Sequence, residues 1–148
     1  MPGTLTLNDQ DVFQFQYDAA ANLLHGSWLA PVLDADLRAH YAALLRAAQH
    51  HGDCCYWLLD MRRRNWHMPS FGQWFVTEFV PEVHAVLGQP LFIAYLLSPR
   101  HCSAAETTRE QLAQRESRER QVYPLACADE AEARAWLRQQ HLAAVNIG

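Results

Sequence analysis

The chain has 148 residues, of which half are hydrophobic, 19% charged and 11% aromatic, with a formal net charge of −4; that length and profile fit one soluble globular domain. Its side-chain cations other than histidine are all arginine, twelve of them, which excludes a Schiff-base amine, a Walker phosphate lysine and the strand lysine of protein kinases, and the acidic balance argues against a nucleic-acid partner. Met1-Pro2-Gly3-Thr4 has neither a basic nor an apolar leader region, and no transmembrane-length apolar run follows, so a cytoplasmic protein is expected.

Residues 1–10 read as a mobile lead-in and residues 11–142 as a single domain. Phe13, Phe15 and Tyr17 alternate with Gln14 and Gln16, the pattern of a half-buried strand. Asn22 suits a left-handed turn position, and Leu23 to Leu29 reads as the returning strand of a hairpin. Across 34–51, Leu37, Tyr41, Leu44, Leu45 and Ala48 recur at helical spacing, with Asp34 as N-cap and Gly52 as stop. Cys54 to Leu59 is an apolar run ending in Asp60, which predicts a strand buried on both faces.

After a polar, arginine-rich stretch at 61–69, Ser70-Phe71-Gly72-Gln73 reads as a capping box with Ser70 as N-cap. Phe71, Trp74, Phe75 and Phe79 then form the apolar stripe of a second helix. Pro81 should kink or interrupt that helix, and Gly88 should end it. Leu91 to Leu97 predicts another interior strand. Residues 103–120 alternate Glu and Arg with few apolar anchors, which predicts an exposed helix that docks weakly or contacts a second subunit in a homodimer. Gln121 to Ala126 reads as an edge strand because of Pro124. Asp129 caps a last helix at 129–140, with Ala133, Trp136 and Leu137 facing inward. The order β-β-α-β-α-β-α-β-α implies an α/β fold with a mixed sheet whose central strands are parallel.

The four cysteines, Cys54, Cys55, Cys102 and Cys127, form no CxxC and read as free thiols. His50-His51 and Cys54-Cys55 are adjacent pairs, which do not aim two side chains at one ion. No metal and no cofactor are expected.

The stretch Asp60-Met61-Arg62-Arg63-Arg64-Asn65-Trp66-His67 leaves the carboxyl end of a central strand, the edge at which open α/β sheets collect ligands. The following parallel strand ends close to Arg100 and His101. With the amino end of the Ser70 helix nearby, Arg62, Arg63, Arg64, Trp66, His67, Arg100 and His101 make a candidate rim for a small anion or an acidic partner segment.

The opening hairpin, the first helix, the Tyr56-to-Asp60 strand, the helix at Ser70, the Leu91-to-Leu97 strand and the terminal Glu132-Ala133-Arg134-Ala135-Trp136-Leu137 segment together resemble a STAS-type domain of the SpoIIAA-like class, over roughly residues 11–140. The resemblance implies a non-catalytic regulatory or protein-interaction module with a protein partner. In the anti-sigma-factor antagonists of that family a serine at the start of the second helix is phosphorylated, and Ser70 is the corresponding position. Pro69 and Phe71 flank it here, where the family has an aspartate and small residues, so the chain resembles a divergent member. Two other functions stay open: a binder of a small anionic ligand at the arginine-rich rim, and an enzyme using His67 or His101 with Cys102.

Overall fold

A computed structural model describes residues 12–65, 69–98 and 122–147. The lead-in at 1–10, the helix expected at 103–120, and Trp66, His67, Arg100, His101 and Cys102 lie outside the described residues. Among those described, no helix is long and apolar enough to cross a membrane.

Strands β1 (Phe13–Asp18) and β2 (Leu23–Trp28) form the expected antiparallel hairpin, with Phe13 opposite Trp28. Asn22 takes the left-handed conformation at φ 51°, and the Asp18 carboxylate accepts from the Ala21 N–H across the turn. Strands β3 (Tyr56–Asp60), β4 (Leu91–Leu96) and β5 (Val122–Cys127) then add in parallel, so the sheet order is β1-β2-β3-β4-β5. β5 is an edge strand, as its proline suggested. β3 has the fully interior character its apolar run predicted, with Trp57, Leu58 and Leu59 all buried.

Helix α1 (Asp34–His50) follows β2, and its buried face carries Leu37, Tyr41, Leu44, Leu45 and Ala48. Asp34 is the first helical residue rather than the cap. Leu33 holds the extended cap position without any side-chain bond. Asp34 instead pairs with Arg38 one turn on, at 2.6 Å, and with Asp36 it places negative charge where the helix dipole favours it.

Helix α2 begins at Pro69–Trp74, widens into a π-helical turn at Phe75–Phe79 and continues as Val80–Leu87. Two expectations are corrected here. Ser70 lies inside the first turn, not at the cap, because Pro69 with its fixed φ already occupies a helical position. Pro81 does not interrupt the helix. A proline ring clashes with the carbonyl four residues back and donates no hydrogen bond. The turn before it is opened by one residue, so that the Val80 N–H reaches the Phe75 carbonyl, and the chain passes the proline without breaking. Gly88 ends the helix at φ 66°, its N–H on the His84 carbonyl, a conformation that costs a residue with a Cβ.

Helix α3 (Glu130–Ile147) is longer than its periodicity suggested. Asp129 caps it as expected, accepting from the Ala131 N–H.

The helices divide between the two faces of the sheet. α1 and α2 pack on the face that carries Phe13, Leu24, Trp28, Trp57, Leu59, Leu91 and Ile93. α3 packs on the other, through Ala133, Leu137 and the partly buried Trp136 against Leu23, Leu58, Ala94 and Leu96. Gly26 allows α1 its close approach: a Cβ there would lie 3.1 Å from Leu59 Cδ2 and 3.4 Å from Leu44 Cδ2.

Phe15 departs from its predicted face partners. Phe13 and Tyr17 stack on His40 and His51, whereas Phe15, in the middle of the edge strand, is 43% exposed. The edge strand reaches past the helical layer, so alternation alone does not bury its middle residue.

Candidate functional site

The carboxyl ends of β3 and β4 lie side by side, Asp60 opposite Leu96. Met61 extends the pairing, its N–H donating to the Leu96 carbonyl at 2.9 Å. The chain then turns at once: the Arg64 N–H donates back to the Met61 carbonyl. That turn sends three consecutive arginines in three directions. They do not form a common rim.

Arg62 folds onto Asp60. Its Nε and Nη2 donate to the two carboxylate oxygens at 3.0 and 2.7 Å, and its backbone N–H donates as well. Partial burial alone would raise the Asp60 carboxyl, but these bonds outweigh it and hold the group below its usual range. Arg63 is exposed. Arg64 turns inward and is only 7% exposed.

The surroundings of Arg64 are aromatic. Its guanidinium carbon lies 4.9 Å from the Trp28 ring centre and 5.8 Å from that of Phe71. Nη2 contacts Met61 Sδ at 3.6 Å. Tyr41 and Tyr95 are the other polar groups it feels. The Tyr41 ring stacks on Trp28 at 5.6 Å and lies 5.0 Å from Phe71. Nε and Nη1 have no hydrogen-bond partner among the described residues. Burial works against the charged guanidinium, but arginine stays protonated in proteins.

This is a cation taken out of water with no counter-charge among the described residues. The desolvation cost is several kcal/mol per ion even after relaxation, whereas a buried cation–π contact returns about 2 kcal/mol. Buried charges are ordinarily paired or hydrogen-bonded. Among the described residues Arg64 has no carboxylate partner and only the Met61 sulfur as a side-chain acceptor, and it lies on the turn that leaves the carboxyl end of β3.

The two phenols complete the site. Tyr41 comes from α1 and Tyr95 from the end of β4, and the two phenols act electrostatically on each other and on the guanidinium. Burial raises both well into the range where they stay protonated at neutral pH.

Asn65 holds this arrangement together. Its side-chain oxygen accepts from the Val32 N–H at 2.8 Å and its amide donates to the Val32 carbonyl at 3.0 Å. This double bond clasps the turn bearing Arg64 to the loop between β2 and α1. Trp28 is fixed from the same side by its Nε1, which donates to His40 Nδ1 at 3.1 Å.

Of the residues expected at the rim, the structure therefore brings Arg62, Arg63 and Arg64 to the carboxyl edge: Arg62 is paired with Asp60, Arg63 is exposed and Arg64 is buried. Ser70 is exposed in the first turn of α2. Tyr41, Tyr95, Trp28 and Met61 are the site residues that sequence reading missed. Tyr41 was visible only as a core position. Its hydroxyl and that of Tyr95, a lone polar atom in an apolar run, were the available signals.

Among the described residues, Cys54, Cys55 and His51 lie apart from this turn. Burial pushes the Cys55 thiol up to about 12, with the neighbouring Cys54 and Asp53 adding to the effect. Both thiols face backbone carbonyls, Cys54 toward Asn22 and Cys55 toward Asp53. His51 stacks on Tyr17 at 4.2 Å. His25 lies on the α3 face of the sheet, 3.4 Å from Ser27 Oγ. Burial favours its neutral form, against the opposing pull of Glu130 and Asp60.

Compared with known proteins, the chain matches no family model, no curated protein and no solved structure at a significant level.

Proposed function

We propose that the chain is a non-catalytic binding module that takes a small anionic ligand at Arg64. The observation that carries this reading is the guanidinium itself, 7% exposed with Nε and Nη1 unbonded. A ligand anion supplies the missing counter-charge. In so doing it converts the least favourable feature of the apo protein into a charge-assisted hydrogen bond. The aromatic walls lower the local dielectric and so strengthen that bond.

The test is thermal stability in the presence of small anions, for the wild type and for Arg64→Gln. A ligand at about a hundred times its Kd stabilises the wild type by about 2.7 kcal/mol, a rise of roughly 5–10 °C for a domain of this size. Arg64→Gln should show no such rise. An equal shift in both proteins, or none in the wild type with any anion, would remove the site.

A second reading is favoured by the element order and by Ser70. The leading hairpin, the β-α alternation after it and an exposed serine in the first turn of α2 support a regulatory module resembling the SpoIIAA-like STAS class, with a protein partner that reads the α2 surface. An added phosphate at that point would meet the unpaired N–H groups of the first turn. Mass spectrometry of the protein from its native cell is expected to find phosphate on Ser70. Phosphate only on other residues would end the antagonist analogy.

A further inference from the structure

We infer that the outer edge of β1 docks a second copy of this chain, two β1 strands pairing antiparallel about Phe15 so that two sheets become one.

The backbone is the first argument. Among the described residues β1 ends the sheet order and pairs only with β2. The Leu29 N–H donates to the Val12 carbonyl at 2.7 Å, one step beyond the Phe13–Trp28 pair. Bonding direction alternates along an antiparallel strand. Val12, Gln14 and Gln16 therefore turn their backbone groups toward β2, and Phe13, Phe15 and Tyr17 turn theirs outward. Native edges are blunted by proline, by cations or by a bulge. β5, at the opposite end of the sheet, carries Pro124. Phe13–Asp18 holds neither proline nor cation, and its register with β2 runs without a bulge.

The side chains say which strand fits. Phe13-Gln14-Phe15-Gln16-Tyr17 reads almost the same in either direction. A two-fold axis at Phe15 sets it opposite the partner's Phe15, Phe13 opposite the partner's Tyr17, and Gln14 opposite the partner's Gln16. Outward-facing backbone groups then meet outward-facing ones. Ring meets ring on one face of the joined sheet and amide meets amide on the other, pairings that stabilise antiparallel strands. Asp18, the one charge of the strand, falls opposite the partner's Val12, so no carboxylate faces another. A slip of one residue would set rings against amides. Phe15, 43% exposed and 5.7 Å from the Phe13 ring, is covered by its own counterpart.

Sedimentation velocity of the full chain over a concentration series is the test. A six-residue edge is a small interface, so dilute protein should be monomeric and dimer should accumulate as concentration rises. Phe15→Lys should raise the dimer Kd at least about tenfold, because it sets two cations face to face on the edge. Phe15→Cys should cross-link the dimer under mild oxidation, since the Cα atoms of a hydrogen-bonded pair lie about 5.5 Å apart, within disulfide reach. Gln16→Cys, which the axis does not set opposite itself, should not cross-link. Thermal unfolding of dilute protein, unchanged in the variants, separates lost docking from lost folding. A full chain that stays monomeric at every concentration would overturn the proposal, whether the edge is bare or covered by the chain's own residues 1–11. So would a dimer indifferent to Phe15→Lys, or one cross-linked equally well at both positions. If Phe15→Lys fails to fold, the two cysteine variants decide the point.

Discussion

Arg64→Met is expected to make the protein more stable. Replacing a buried, unpaired charge by an apolar side chain of similar length removes the desolvation cost, and such replacements gain about 1–4 kcal/mol even when the original charge had a partner. Arg64 has none. Against this stands the loss of its contacts over Trp28 and Phe71, worth up to about 2 kcal/mol. The balance spans about −1 to +4 kcal/mol and centres on a net gain of about 1–2 kcal/mol, or roughly 3–6 °C in Tm. Urea unfolding of the two proteins in anion-free buffer measures it. The same variant should be blind to every anion that stabilises the wild type, which is the trade of stability against function that binding sites show. A variant less stable than the wild type by more than about 1 kcal/mol would mean that the guanidinium is already satisfied, and the functional reading of Arg64 would fall with it.

Trp57→Ala should produce the largest loss. Trp57 is fully buried in the central strand β3 and packs toward Phe79 of α2. Its indole N–H donates to the Cys54 carbonyl at 2.9 Å. Truncation leaves a cavity and strips that carbonyl of a donor, and aromatic-to-alanine changes of this kind cost about 3–5 kcal/mol. Native domains have only about 5–15 kcal/mol in total, so the transition should fall by about 10–15 °C. Phe15→Ser is the control. Phe15 is as apolar but 43% exposed on the edge strand, and its replacement should move stability by no more than about 0.5 kcal/mol. Similar losses for the two would mean that β3 is not the centre of the sheet.

The architecture was largely legible because it rests on periodicity. The interior strands announce themselves as short apolar runs, and the α1 stripe of Leu37, Tyr41, Leu44, Leu45 and Ala48 is the face that the structure buries. The misreadings were local. A serine before an apolar stripe looks like a cap, but a proline one place earlier had already entered the helix. A proline in mid-helix looks like a break, but one widened turn accommodates it. Charge was the harder matter. Arg62, Arg63 and Arg64 are identical letters in a row, and hydropathy gives all three to solvent. Their fates follow from a turn closed by the Arg64 N–H on Met61 and from the distance to Asp60, which are facts of three dimensions. The site residues contributed by α1 and β4 were invisible for the same reason: their phenols matter only because two separate elements bring them to one buried cation.

Because each strand hydrogen-bonds only to its immediate neighbours along the chain, the sheet can be assembled in the order in which the ribosome delivers it. Few contacts wait for distant sequence, a local topology of the kind that shortens the search for the native state. Everything described around Arg64, from Trp28 through Tyr95, is contributed before β5 is made. The enclosure of Arg64 by these elements therefore does not wait for the last strand or the last helix.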